Sequence, residues 1–219
     1  MDSLRLFDSH CHLDDARFDE DRDRMIQALP AQGLAYCLTV GSDLDSSRRS
    51  LQLAHQYPFI YAAAGVHPHE AAKAPVDYLL QVRELLGQKK VVALGEIGLD
   101  YYRQYAPTDL QKEILAKQLN LATKTNLPVI IHSRESLSDL WPVLARWQSD
   151  LSRDGSQLAD RPGVLHSFDG DLDTAREAIE SRFFIGVTGP ITFQNAKAKQ
   201  EVFRNLPLEA LLIETDSPY

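Results

Sequence analysis

The sequence predicts an α/β protein of the (β/α)₈ TIM-barrel class, on three observations. Apolar, β-rich runs alternate with amphipathic stretches along the whole chain, eight times at intervals of roughly 20–37 residues. Each run is mostly apolar on both faces, as parallel strands require when helices cover one side and a core fills the other. The position after the first strand, where an open doubly wound sheet carries a glycine-rich phosphate loop, holds His10-Cys11-His12-Leu13 instead. No G-x-G-x-x-G or P-loop pattern occurs elsewhere.

The first strand, Leu4–His12, ends in Asp8-Ser9-His10-Cys11-His12. Side chains alternate faces along a strand, so His10 and His12 point one way and Cys11 the other. A helix follows from about Asp19 to Leu29, stopped by Pro30 and Gly33. Ala35–Gly41 is the second strand, and Asp43 is placed to cap a helix over Leu44–Tyr57, where Leu44, Leu51 and Ala54 share a stripe. Phe59–His67 is the third strand; Pro75 opens the helix Val76–Leu86 and Gly87 stops it. Val91–Leu99 is the fourth. Pro107 then opens Thr108–Thr125, in which Leu110, Ile114, Leu115, Leu119 and Ala122 recur at helical spacing.

Pro128–Ser133 is the fifth strand, with a helix over Ser136–Arg146. Gln148–Pro162, polar and rich in Ser, Asp and Gly, reads as a surface loop. Strands Gly163–Phe168, Phe183–Thr188 and Leu211–Thr215 alternate with helices Asp171–Ser181 and Ala196–Leu206. A single domain is expected over residues 1–219, lacking the C-terminal helix that closes the seam between strands eight and one.

Bulk properties narrow the function. An apolar fraction of 44% and a charged fraction of 25% are those of an ordinary globular protein. A net charge of −8 argues against coating nucleic acid through a broad basic face, though not against meeting phosphate through bound metal. No apolar run is long enough to span a bilayer, and Asp2, Arg5 and Asp8 interrupt any secretory core, so a cytoplasmic location is expected. Cys11 and Cys37 fall on separate strands and are expected as reduced, buried thiols.

Active sites of such barrels stand at the carboxyl ends of the strands. Those ends carry His10 and His12, His67 and His69, Glu96 and Asp100, His132 and Arg134, His166, and Asp216. Of the seven histidines only His55 lies in a predicted helix. Imidazoles and carboxylates gathered in this way suit two divalent ions. Singly, each has an ordinary reading: His132 or His166 as a hydrogen-bonded histidine, Asp216 as a helix cap, Arg134 as a surface cation. A buried Glu96 needs a cation nearby, because an unpaired buried carboxylate costs several kcal/mol.

Five segments together resemble the TatD family of metal-dependent hydrolases, within the amidohydrolase-like metal barrels. They are Asp8-Ser9-His10-Cys11-His12-Leu13, Gly65-Val66-His67-Pro68-His69, Gly95-Glu96-Ile97-Gly98-Leu99-Asp100, Pro128-Val129-Ile130-Ile131-His132-Ser133-Arg134 and Ile213-Glu214-Thr215-Asp216-Ser217-Pro218. The resemblance implies that His10, His12 and Asp216 hold one ion, and that Glu96 bridges to a second held by His132 and His166. His67, Asp100 and Arg134 are then substrate-binding residues, with Asp216 and Glu96 catalytic. It implies a DNase, often a 3′→5′ exonuclease, or alternatively an ester or amide hydrolase such as a D-aminoacyl-tRNA deacylase. The cofactor is expected to be two divalent ions, Mg²⁺, Zn²⁺ or Mn²⁺, and the substrate DNA, single-stranded or at 3′ ends. A hydroxide held by the ions is the expected nucleophile, with Asp216 taking up the proton. Where the family usually reads His-Cys-Phe-Ser-Gly, this chain has His166-Ser167-Phe168-Asp169-Gly170, which adds a carboxylate.

Overall fold

A computed structural model of the chain describes residues 5–219. Eight parallel strands follow one another around a single sheet in sequence order: β1 (Leu6–Cys11), β2 (Leu34–Val40), β3 (Ile60–Ala64), β4 (Val91–Asp100), β5 (Val129–Arg134), β6 (Gly163–Leu165), β7 (Phe184–Val187) and β8 (Leu211–Ile213). Between them lie α1 (Arg22–Ala28), α2 (Leu44–Gln56), α3 (Tyr78–Leu86), α4 (Thr108–Thr125), α5 (Leu137–Arg153), α6 (Leu172–Glu180) and α7 (Lys197–Arg204). The result is a nearly closed (β/α)₈ barrel. Among the described residues no helix is long and apolar enough to cross a membrane.

Strand alternation sorts the side chains into two apolar layers. Leu38, Val40, Ala63, Ala93, Ile130 and Val164 point into the barrel and pack on one another there. Their sequence neighbours, including Cys37, Ala62, Leu94, Val129, Ile131 and Leu165, face outward and pack against helix residues such as Leu53, Val82, Ile114, Leu119, Leu140 and Leu144. Carrying the inward parity onward along β5 and β6 brings His132 and His166 to the mouth above this small inner core.

The register shifts at four places around the sheet, and two of the shifts bear on the mouth. Opposite β2, the pairs Asp8↔Cys37 and Cys11↔Thr39 set three steps of β1 against two; opposite β5, Leu94↔Val129 and Ile97↔Ile131 do the same for β4. Each is a bulge, which inserts a residue and re-aims its neighbours. With Leu94 and Ile97 both facing the helices, Glu96 is free to turn into the mouth. At Gly98, φ is +148° and a Cβ would stand 1.9 Å from the His132 carbonyl oxygen, so only glycine lets β4 and β5 approach this closely beside the site.

Boundaries shift where tertiary contacts decide. The chain past Gln148 continues α5 to Arg153, because Leu151 extends the stripe of Leu140 and Leu144 and packs on Leu158 and Ala159. Helix α3 begins at Tyr78 rather than beside Pro75, whose carbonyl accepts the Tyr78 N–H. Strands β6 and β8 are only three residues long. After β6 the backbone turns through Ser167 at φ +45°. Leu4, where the sequence begins the first strand, lies outside the described residues. The caps at Asp43 and Asp171 form, accepting the Ser46 and Thr174 N–H groups. Cys11 and Cys37 are free and buried.

The β8–β1 seam is closed by bonds between distant parts of the chain. Ser9 Oγ donates to the Ile213 carbonyl (3.0 Å), Asp216 N–H to that of His10 (2.9 Å) and His12 N–H to that of Ser217 (2.7 Å). Asp8 accepts from both the backbone N–H and the hydroxyl of Thr215.

Candidate metal centre

Ten imidazole and carboxylate residues from six strands meet at the carboxyl mouth, and Glu96 stands among them. Its Oε2 lies 3.5 Å from His10 Nε2 and 3.8 Å from His12 Nε2. Its Oε1 lies 2.9 Å from His132 Nδ1 and 3.8 Å from His67 Nε2. One carboxylate thus touches side chains of β1 on one flank and of β3 and β5 on the other. Asp216, after β8, sets Oδ1 3.5 Å from His12 Nε2, 3.8 Å from His10 Nε2 and 3.5 Å from His166 Nε2.

The first flank is crowded with nitrogen. His10 and His12 bring their Nε2 atoms to 3.1 Å of each other. His10 also stacks on His166, with ring centroids 3.5 Å apart. His12 Nδ1 donates to the Val40 carbonyl at 2.8 Å, which leaves the Nε2 lone pair of the neutral ring facing the site. His10 Nδ1 is buried without a partner. His166 Nδ1 lies 3.0 Å from Glu214 Oε1, off the line of a hydrogen bond. Glu214 is itself accommodated by a glycine: a Cβ on Gly186 would meet its Oε1 at 2.4 Å.

The second flank is organised by carboxylates. His132 is held from both sides, Nδ1 by Glu96 at 2.9 Å and Nε2 by Asp100 at 3.0 Å. The same Asp100 oxygen meets His69 Nε2 at 2.8 Å. Buried Gln111 of α4 donates to the Asp100 carbonyl and accepts its N–H, fixing the end of β4.

Protonation follows these surroundings. Burial, with His166 adjacent, drives His10 down to about 4, so its ring is neutral at physiological pH. His67 is lowered well below its ordinary value by burial and by His132. Burial also opposes charge on His12, His132 and His166, but carboxylates outweigh it and raise all three: Asp216 and Glu96 at His12, Asp100 and Glu96 at His132, Glu214 and Asp216 at His166. Burial works against the Glu96 carboxylate as well, yet the surrounding imidazoles of His67, His10 and His132 hold it well below the usual range. Asp216 and Asp100 are held low against burial, by His12 and His166 in one case and by His132 and the Arg103 N–H in the other.

Three sets of donors each lie within 4.8 Å of one another: His10, His12 and Glu96; His67, Glu96 and His132; His10, His166 and Glu214. The donors fit divalent ions, since ring nitrogens from several strands surround a buried, ionised carboxylate.

Of the residues singled out in the sequence, His10, His12, Glu96, His132, His166, Asp216, His67 and Asp100 converge. Arg134 stands apart on the exposed rim, its guanidinium 5.0 Å over the Tyr102 ring. His69 and Glu214 join the site without having been given a role from sequence; both lie within the quoted segments, each two residues from a residue that was. The added Asp169 is exposed and is met by Lys199 Nζ at 3.5 Å.

The family model described as TatD related DNase matches residues 7–219. The chain is 37% identical over 214 residues to the uncharacterized metal-dependent hydrolase YabD of Bacillus subtilis, covering 98% of this chain and 80% of that protein. It is 32% identical to the 3′-5′ ssDNA/RNA exonuclease TatD of Cronobacter sakazakii, covering 98% and 78%. Among solved structures, the TatD homologue YjjV of Escherichia coli K12 superposes with a TM-score of 0.87 at 35% identity, covering 98% of this chain and 80% of that one.

Proposed function

The chain belongs to the TatD related DNase family and is a metal-dependent hydrolase, and from that premise we propose that it hydrolyses phosphodiester bonds of single-stranded DNA, working from the 3′ end with two divalent ions. The observation that carries the reading is the shared carboxylate of Glu96, in reach of donors on both flanks of the mouth. The family description and the relative described as an exonuclease support the choice of substrate.

His10, His12 and Asp216 would hold one ion, His132 and His166 the other, with Glu96 between them; His166, stacked on His10 and 3.5 Å from Asp216, stands where the two groups meet. Such ions, when bound, bring a water's pKa toward neutrality and offset charge on phosphate oxygens. The chain supplies the rest. Asp216, with 27% of its side chain exposed, is the carboxylate of the cluster most open to solvent and starts ionised, so its Oδ1 accepts the proton of the attacking water. Val40 and Asp100 fix the rings of His12 and His132. His67 and Arg134 hold the phosphate, Arg134 from the rim.

The test is cleavage of a 5′-end-labelled single-stranded oligonucleotide with Mg²⁺, Mn²⁺ or Zn²⁺. Stepwise shortening is expected. No cleavage under any of the three ions, together with hydrolysis of a D-aminoacyl-tRNA ester, would overturn the phosphodiester reading.

A further inference from the structure

The loop after β4 reads Tyr101-Tyr102-Arg103-Gln104-Tyr105. It is bracketed by the buried residues Asp100 and Ala106, yet Tyr102 and Tyr105 are 56% and 59% exposed. Neither ring stands alone. The Arg134 guanidinium, which makes no salt bridge among the described residues, lies 5.0 Å over the face of Tyr102. The Tyr105 ring meets His69 edge to face at 4.9 Å.

Asp100 ties the loop to the metal centre. Asp100 Oδ1 accepts the N–H groups of Tyr102 (3.0 Å) and Arg103 (2.9 Å), while its Oδ2 meets His132 and His69. The group that orients a candidate metal-holding imidazole therefore also sets the backbone presenting the tyrosines. Exposed aromatic rings beside a guanidinium that makes no salt bridge among the described residues have one chemistry in common. They stack on flat π systems and attract an anion close by, which is how single-stranded nucleic acid is held without regard to sequence.

We propose that Tyr102, Tyr105 and Arg134 form a base-stacking platform that seats nucleotides adjoining the scissile phosphate. The inference rests on the phosphodiesterase reading and adds to it: affinity comes from the bases as well as from the backbone. Because every base has a π face, the platform accepts all four, and it favours flexible single strands over a stacked duplex.

The test compares an oligothymidylate with a tetrahydrofuran oligomer of equal length, which has the same backbone and no bases. Dissociation constants are read by fluorescence anisotropy in EDTA, and cleavage is measured separately with metal. Native protein is expected to bind the base-bearing oligomer roughly 5- to 100-fold more tightly than the baseless one. In Tyr102→Ala/Tyr105→Ala the two constants should converge, whereas Tyr102→Phe/Tyr105→Phe should keep the ratio, since phenyl rings still stack. Equal binding of the two oligomers by native protein, or an unchanged ratio in the alanine variant, overturns the platform. Discrimination without cleavage under any ion would support the platform and overturn the phosphodiesterase reading. Cleavage without discrimination would remove the platform alone, and loss of both would remove both.

Discussion

The two flanks of the mouth are built from the same residue types and held together differently. On the β1, β6 and β8 side, imidazoles face one another: His10 opposes His12 at 3.1 Å, stacks on His166 and leaves Nδ1 unpartnered. On the β3, β4 and β5 side, His132 has a carboxylate on each nitrogen. The second flank is satisfied by its own hydrogen bonds; the first leaves the Nδ1 atoms of His10 and His166 without a hydrogen-bond partner. The first flank therefore has ring nitrogens left over to meet a ligand, while the second is held in place by its own carboxylates.

Removing the group common to both flanks should have the largest effect. Glu96→Ala is expected to abolish turnover and also the rise in melting temperature on adding metal, read by calorimetry with and without EDTA. Asp216→Asn keeps the shape but lowers the charge of the first flank and removes the proposed proton acceptor; kcat is expected to fall roughly 10²–10⁴-fold with a smaller loss of metal affinity. If both variants stay fully active, the site lies elsewhere.

Asp100→Asn probes the preorganised flank. Metal affinity is expected to drop roughly 10–100-fold through misorientation of His132, read by metal titration. The His12 resonances should stay put.

The smallest effect is a titration in the metal-free protein. His10 should take up its proton near pH 4, while His12, His132 and His166 charge above their ordinary values, as followed by NMR of the ring protons. Unfolded His10 binds its proton near 6.5. Between those two values the unfolded chain holds more protons at this residue, so its contribution to stability is present above pH 6.5 and lost as pH falls toward 4. His10 charging near 6.5 would contradict the contrast between the flanks.

Much of this was legible in the sequence because strand periodicity determines facing. His10 and His12, two apart, share the mouth, and apolar runs separated by capped helices give eight strands in order. The bulges were not legible. By simple alternation between Leu94 and Ile97 one of the two would point inward; both face the helices, and the inserted residue is what turns Glu96 into the mouth. No residue type marks that irregularity. Glu214 escaped for a related reason: in an apolar run one position before Thr215 it has no partner in sequence, and only Gly186 of the neighbouring strand makes room for it. The end of α5 is not legible because the Gln148–Arg153 stretch is polar apart from the single apolar Leu151 that anchors it.

The seam joins Ser9 to Ile213, residues 204 apart along the chain. Translation releases the amino-terminal portion first, at about 5–20 residues per second. His10 and His12 therefore leave the ribosome early, and Val40, Glu96 and His166 reach them before Asp216 does. Helix-flanked strands two to seven can associate in the meantime, since their contacts are nearer in sequence. The contacts of Asp216 with His10, His12 and His166 thus form only after β8 has joined β1.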